Sequence, residues 1–356
     1  MRNSYSFCST FAQKINIMSS ILVTGGCGFI GSHTIVDLIQ QGYHCISVDN
    51  YLNSDPTVLD QIHEITGVKV RNYAEDLTDE TALDAIFKSN DIEGIVHFAA
   101  LKAVGESVGK PLLYYKNNIG GMLSLMQAAV KHKVKHLLFS SSCTVYGDSK
   151  ELPVTENAPI QKASSPYGYS KQVCERIIED VIIGQEMNAA HLRYFNPAGA
   201  HESLLLGESP INPPLNLIPI ITAVGVGKRE KLVVFGQDYP TRDGTCIRDY
   251  IHVMDLADAH TKALKHLMQG NVKNGKVEVF NLGTGEGTTV LEAIKAYENV
   301  SGEKLRVETS ERRSGDIPAI FADFKKAKST LGWNPKRTIT DIMDSAWRWE
   351  QKRSPH

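Results

Sequence analysis

No stretch of the 356 residues is apolar for long enough to cross a bilayer, because a spanning helix needs about 20 consecutive apolar residues. Charge of one sign is missing too. Lys and Arg number 38 against 40 Asp and Glu, a formal charge of −2, so the basic excess that nucleic acid demands is absent. Cysteine is sparse and unpatterned: Cys8, Cys27, Cys45, Cys143, Cys174 and Cys246 include no CxxC pair. Such usage fits reduced thiols in a cytoplasmic protein and excludes a disulfide scaffold. The first 17 residues lack both acidic side chains and the apolar core of a secretory signal. Residues 1–18 therefore read as a disordered N-terminal extension or a stretch upstream of a second start at Met18, with an organelle address as the alternative.

What the chain does have is a glycine-rich turn in a telling place. Ser20-Ile21-Leu22-Val23-Thr24 is a short apolar run, and Gly25, Gly28 and Gly31 follow it at intervals of three. Ile30, Ile35, Leu38 and Ile39 then recur at helical spacing up to Gly42. Strand, turn and helix in that order form a phosphate cradle. Gly25 makes the sharp turn, Gly28 lets backbone approach a pyrophosphate, and Gly31 lets helix and strand pack closely. The helix N-terminus then faces the anion with free N–H groups. A second strand, Cys45 to Val48, ends in Asp49. A carboxylate there accepts hydrogen bonds from a ribose 2′-hydroxyl and repels a 2′-phosphate, which favours NAD over NADP; the plainer alternative is a polar loop shared with Asn50 and Asn53.

Length alone predicts two closely associated lobes, here 19–196 and 197–356. Through the first lobe strands and helices alternate: helix 55–66, strand 68–71 ending near Asp76, helix 79–89, strand 94–100, a long helix over 109–131, strand 137–139 and strand 188–195. Alternation calls for an α/β fold, a Rossmann-type doubly wound parallel sheet. Asp76 either reaches an adenine edge or caps the next helix. His132 and His136 have i, i+4 spacing but no third ligand, so no metal is implied and they read as cations closing a helix.

The chemistry-bearing residues come late in that lobe. Ser140-Ser141-Ser142-Cys143-Thr144-Val145-Tyr146-Gly147 follows a strand, which is where an open α/β sheet binds ligands. Ser165-Pro166-Tyr167-Gly168-Tyr169-Ser170-Lys171 opens a helix. Tyr167 and Lys171, four apart, share one face. A tyrosine is a base near neutral pH only when a cation stabilises its phenolate, and Lys171 is placed to be that cation. After Tyr194-Phe195-Asn196-Pro197-Ala198-Gly199 long Pro-, Asn- and Gly-rich loops separate short apolar pieces. They indicate a smaller C-terminal α/β lobe for substrate, with about 245–290 returning to the first lobe. Arg248 and Arg313 stand in polar turns suited to phosphate or to a plain surface ion pair. Residues 320–352 read as packing helices around Trp333, Trp347 and Trp349.

Together, Val23 to His33, Phe98 to Ser107, Ser140 to Gly147, Ser165 to Lys171, Arg193 to Ala200 and Arg248 to Asp255 resemble the UDP-glucose 4-epimerase family, within the extended short-chain dehydrogenases/reductases. The resemblance runs from about residue 20 to the end. It implies interconversion of UDP-galactose and UDP-glucose by transient oxidation at C4 with retained NAD, Tyr167 acting as acid/base, Ser142 bonding the reacting oxygen and Lys171 holding the nicotinamide ribose. It also implies that Phe29, Ile30, Asp49, Asn50, Asn53, Ser54, Asp76, Leu77, Phe98, Ala99, Ala100, Lys102, Asn117 and Phe195 surround the cofactor. Asn196, Asn216, Leu217, Val233, Val234, Phe235, Arg248, Arg313 and Asp316 would hold the nucleotide sugar, with the arginines on the diphosphate. A homodimer packed through the 109–131 and 165–186 helices is implied as well.

Two residues depart from the family pattern. Cys143 replaces a common alanine beside Ser142. Ile320 stands where the family carries either a bulky tyrosine, which restricts the pocket to plain hexoses, or a small residue, which admits N-acetylated ones. Its intermediate size predicts partial acceptance of UDP-N-acetylhexosamines. A dehydratase or decarboxylase on the same scaffold would place acidic residues next to Ser142, where Cys143 and Thr144 stand. A non-catalytic NAD-sensing protein would lack the Tyr-Lys pair.

Overall fold

A computed structural model describes residues 20–313 and 316–354. The expected N-terminal extension, residues 1–18, lies outside the described residues. So do Ser314 and Gly315.

The first lobe is built by β1 (Ser20–Thr24), α1 (Phe29–Gln40), β2 (His44–Val48), α2 (Val58–Thr66), β3 (Arg71–Tyr73), α3 (Glu80–Ser89) and β4 (Ile92–His97). It continues through α4 (Val104–Gly109), α5 (Pro111–Tyr114), a π-turn (Tyr115–Gly120), α6 (Gly121–Lys131), β5 (His136–Ser142), α7 (Pro166–Ile182) and β6 (Asn188–Tyr194). The second half of the chain forms β7 (Asn196–Ala198), α8 (Leu217–Gly225), β8 (Leu232–Phe235), β9 (Ile247–Arg248), β10 (Tyr250–His252) and α9 (Val253–Met268). It ends with β11 (Val277–Leu282), β12 (Thr288–Thr289), α10 (Val290–Ser301), β13 (Val307–Ser310), β14 (Ala319–Ile320), α11 (Lys325–Leu331) and α12 (Ile339–Lys352).

Seven parallel strands make the main sheet in the order β11-β6-β5-β4-β1-β2-β3. Strand β1 is central because both its faces are apolar. Period-2 alternation sends Ile21 and Val23 into one buried cluster with Ile35, Leu38, Leu256 and Leu264, and Leu22 into another with Ile46, Leu83, Leu125 and Phe139. Helices α1, α2 and α9 cover the first face; α3, α6 and α7 supply the second cluster. The chain reverses its winding between β1 and β4, which leaves a crevice beyond their carboxyl ends, at the topological switch point. Strand β11 joins this sheet from the second half of the chain.

A smaller lobe folds around a third apolar cluster that includes Ile221, Tyr297, Ile342, Met343 and Trp347. Its short sheets are β12-β9-β14 and β13-β8, and Ile320 of β14 packs with Cys143 and Phe195 of the first half of the molecule.

Some boundaries differ from the sequence expectation. Helix α2 starts at Val58 because Asp55 accepts from Thr57 N and Oγ1 in a turn of its own. Its end is a left-handed Gly67 cap, so the chain needs residues 68–70 to come round and β3 begins at Arg71. Asp76 does not cap α3. Asp79 does, accepting from Thr81 N and Ala82 N. The single helix expected over 109–131 is a short α4, then α5 started by Pro111, a π-turn and α6; proline at N1 opens a helix and cannot continue one. Within 320–352, Ile320 lies in a strand and Trp333 in the loop after α11, its indole donating to Asp255 O at 2.8 Å.

Candidate active site

The glycine turn follows β1 at the switch point. Gly25 has φ +70°, and a Cβ there would sit 2.8 Å from Ala99 N. A Cβ on Gly31 would lie 2.2 Å from Gly25 O, so Gly31 accommodates the turn's own backbone rather than the strand. Gly28 meets only Gly25 O, at 3.2 Å, which leaves its outer side open to a ligand. Gly28 is the N-cap of α1, and no side chain caps that end and no acidic residue lies in its first turn. Free N–H groups and a positive dipole end in an open glycine cradle fit a pyrophosphate.

Asp49 extends this cradle. Its carboxylate accepts from Cys27 N at 3.0 Å, Tyr51 N at 3.0 Å and Ser54 Oγ at 2.7 Å, which locks the end of β2 to the turn. Asn50 donates to Asp76 at 3.1 Å, bringing those two expected residues together at the surface near exposed Asn53. Leu77 is buried beneath them. Phe98, Ala99 and Ala100 follow β4 and are half-buried, with Phe98 N bonded to Thr24 O. Exposed Lys102 ion-pairs with Glu208 at 3.3 Å, and Asn117 lies in the π-turn, donating to Asn118. Phe195, after β6, is buried.

The catalytic candidates meet at the end of β5. Ser142 ends that strand and its hydroxyl, which accepts from Thr144 N at 3.2 Å, is the neighbour that favours the phenolate of Tyr167 on α7. The Ser165 hydroxyl accepts from Gly168 N and Pro166 opens the helix, which explains why α7 starts here. Lys171 is 4% exposed, donates to Ser140 O at 2.7 Å and lies 5.9 Å from the centre of the Tyr167 ring.

Electrostatically the pair departs from the sequence expectation. Burial pushes the Tyr167 phenol up to about 12, and the neighbouring Ser142 hydroxyl only partly opposes this. Lys171 is held down to about 8, also by burial, with the Glu175 carboxylate favouring its charge. Its ammonium donates one hydrogen bond, to the Ser140 carbonyl, and none to the Tyr167 phenol, which leaves further N–H groups for a ligand. Desolvation of an enclosed anion outweighs a cation turned elsewhere.

The smaller lobe faces this centre with a second set. Asn196 N donates to Asp249 O at 2.9 Å. Asn216 is the exposed N-cap of α8 and donates to Glu208 Oε1 at 3.2 Å, with Leu217 beside it. Val233 and Phe235 are half-buried on one side of β8, whereas Val234 points the other way into the core at 1% exposure, so only its backbone faces the cleft. That is the ordinary alternation of a strand. The Arg313 guanidinium lies over the Phe235 ring at 4.7 Å and its Nε donates to Asp316 at 3.1 Å, while Arg248 lies 3.6 Å from the same carboxylate. Two arginines so held match the two charged groups of a diphosphate. Ile320 pairs with Arg248 across β14 and β9, and packs in a cluster with Cys143, Tyr146 and Phe195.

Sequence reasoning missed the residues that hold these groups. Asp249 is fully buried, accepting from Thr284 N and Oγ1, Gly285 N and Ala322 N, and so fixes the loops around Arg248 and Ile320. Glu175 and Arg193 form a buried pair behind Lys171. The one signal in sequence was that Glu175 lies one turn beyond Lys171 on the same face. His132 proves to have a carboxylate after all, Asp84 at 2.7 Å, while His136 bonds Asn188. Among the described residues no group of His, Cys, Asp and Glu is placed to hold a metal ion.

Filling the cradle tests it. Gly31→Ala should leave the protein folded and abolish retention of a dinucleotide through purification, read from the absorbance and fluorescence of the released nucleotide. Full retention would separate Gly31 from ligand binding.

A family model described as GDP-mannose 4,6 dehydratase matches residues 22–346. A UDP-glucose 4-epimerase from Yersinia pestis is 48% identical over 335 residues, 93% of this chain and 97% of that one. Another from Bacillus subtilis (strain 168) is 48% identical over 332 residues, covering 93% and 96% of the two chains. The crystal structure of UDP-glucose 4-epimerase from Bifidobacterium longum, in complex with NAD+ and UDP, matches with a TM-score of 0.90 at 47% identity, over 95% of this chain and 99% of that one. With that identity over nearly its whole length, and with the turn, the Tyr-Lys helix and the paired arginines gathered at one crevice, the chain belongs to the UDP-glucose 4-epimerase family of NAD-dependent epimerases and dehydratases.

Proposed function

We infer that the protein interconverts UDP-galactose and UDP-glucose, an isomerase reaction that proceeds through transient oxidation at sugar C4 with NAD kept in place, as in galactose metabolism. The observation that carries this reading is that Tyr167 and Lys171 of α7 come together at the end of β5, beside Ser142, on the same rim of the sheet as the glycine cradle.

The chain divides into an NAD-binding part, 19–196, and a mainly sugar-nucleotide-binding part, 197–356, with about 245–290 packing back onto the first. Gly25, Gly28 and Gly31 would admit the pyrophosphate and Asp49 the adenosine ribose, with Asp76 and Asn50 at its outer edge. NAD, when bound, would supply the hydride acceptor at C4 and the donor to the other face of the turned-over keto sugar, and its positive charge would favour the Tyr167 phenolate. Tyr167 takes the proton from the 4-hydroxyl and returns it to the same oxygen at the end, so the protons balance over the cycle. Ser142 holds that oxygen by a hydrogen bond, and Lys171, fixed on Ser140 O, would hold the nicotinamide ribose. Arg248 and Arg313 would neutralise the diphosphate, with Asp316 aligning both. Asn196, Asn216, Leu217 and the β8 edge would grip the nucleoside.

The dehydratase description of the family model raises a second reading. Loss of water needs an acid and a base beside the serine, and that place holds Cys143, whose thiol burial pushes up to about 12, and Thr144. Neither can serve, which favours the epimerase.

A cytoplasmic setting is supported by the free, buried Cys27, Cys45, Cys143, Cys174 and Cys246. Among the described residues no helix is long and apolar enough to cross a membrane. A homodimer is supported by apolar side chains left uncovered along α4, α5 and α7: Val108 at 63% exposure, Leu112 at 80%, Tyr169 at 50% and Ile183 at 69%. Sedimentation should give twice the chain mass, and a monomer at micromolar concentration would contradict the dimer.

Given UDP-galactose and no added NAD, the purified protein should produce UDP-glucose, followed by NMR of the sugar. Tyr167→Phe should keep NAD bound and lower kcat by about 100-fold or more, since general acid-base catalysis contributes on the order of 10²–10⁴. A near-normal rate would remove Tyr167 from the chemistry. For Ile320 the expectation is turnover of UDP-N-acetylglucosamine below that of UDP-glucose, rising in Ile320→Ala as the wall recedes. No turnover of the acetylated sugar at saturation in either form would reject that role.

A further inference from the structure

Helix α7 meets strand β5 through two polar contacts below Tyr167. Lys171 donates to the Ser140 carbonyl at 2.7 Å, and the Glu175 carboxylate accepts from Ser141 Oγ at 2.5 Å. The helix residues are spaced i, i+4, i+8 along one face. Only the last contact is anchored beyond β5. Glu175 is 2% exposed and takes a two-point contact from Arg193 of β6, Nε at 2.8 Å and Nη2 at 2.6 Å. Arg193 in turn donates to the Tyr146 hydroxyl at 3.1 Å, and that hydroxyl donates to Asn281 of β11 at 2.6 Å. A buried ion pair is expensive in desolvation and weak as a source of stability, but its fork geometry admits one arrangement. Here that arrangement fixes how far α7 is rotated and where it sits along β5.

We propose that Glu175 is a positioning residue: clamped by Arg193 and Ser141, it sets the placement of α7 and thereby aims Tyr167 and Lys171 at the reacting centre. Neither Glu175 nor Arg193 touches substrate. Its charge also acts on Lys171, the ammonium one turn away. The other titratable groups around this helix face are Cys174 on α7, Tyr114 on α5, His97 from β4, Cys143 after β5, and His191 and Tyr194 from β6. Burial drives His97 down to about 3 and raises Tyr114, Cys174, Cys143 and Tyr194, so these five are uncharged near neutral pH. Glu175 favours the Lys171 ammonium against burial. Removing that carboxylate lowers the pH at which Lys171 loses its proton.

This inference rests on the assignment of Tyr167 and Lys171 above. In the NAD-loaded protein, Glu175→Gln combined with Arg193→Gln replaces the pair by neutral amides. The expected result is bound NAD, KM for UDP-galactose within about twofold, kcat lower by about 10–100-fold from misplacement, and an alkaline limb of the kcat profile moved to lower pH. Glu175→Asp keeps both charges and shortens the reach; it should lose kcat at unchanged KM while keeping the alkaline limb in place, and it carries the test if the double variant does not fold. Wild-type kcat in either folded variant, or an unmoved limb in the double variant, overturns the proposal. If Tyr167→Phe stays active the assignment beneath it fails instead; if Tyr167→Phe is inactive and the Glu175 variants behave as wild type, this inference alone fails.

Discussion

A phenol resists ionisation where protein displaces water around it, and the catalytic end of this protein is arranged around that resistance. Protein groups alone leave Tyr167 near 12, far from a useful base at neutral pH. The neighbour that favours the phenolate is the Ser142 hydroxyl, and Lys171 donates to the Ser140 carbonyl rather than to the phenol. In the proposed cycle the remaining charge stabilisation arrives with the oxidised cofactor, which ties proton removal to the moment when a hydride acceptor is present.

The fold makes that coincidence geometric. Parallel strands end together, so the turn after β1, Asp49 after β2, Phe98 after β4, Ser142 on β5 and Phe195 after β6 all fall on one rim. The reversal of winding between β1 and β4 opens the crevice. Short sheets of the smaller lobe then bring Phe235, Arg248, Arg313 and Ile320 to its far side, and a buried Asp249 fixes the loops that carry two of them.

Much of this was legible because it depends on local physics. The β1 run, the glycine triplet and the Ser165-Pro166 helix start each announce themselves within a dozen residues. Tyr167 and Lys171 were readable as a pair since helical spacing alone puts them on one face. What failed to show was set by tertiary placement. Val234 turns inward because of the phase of a short strand, and Lys171 bonds Ser140 because β5 passes beneath α7. The Glu175–Arg193 pair needs β6 beside α7, 18 positions apart in sequence, before either residue has a partner. Pro111 marks a helix start in sequence, but the π-helix that follows α5 has no periodic signature that would separate it from a continuous helix.

The central claim, internal oxidation and return of hydride at one carbon, is tested most directly with UDP-galactose carrying deuterium at C4. Incubated in ordinary water, the protein should yield UDP-glucose with the deuterium still at C4, as seen by NMR and mass. Deuterium lost to solvent, or product formed with C4 hydrogen drawn from water, would contradict the account.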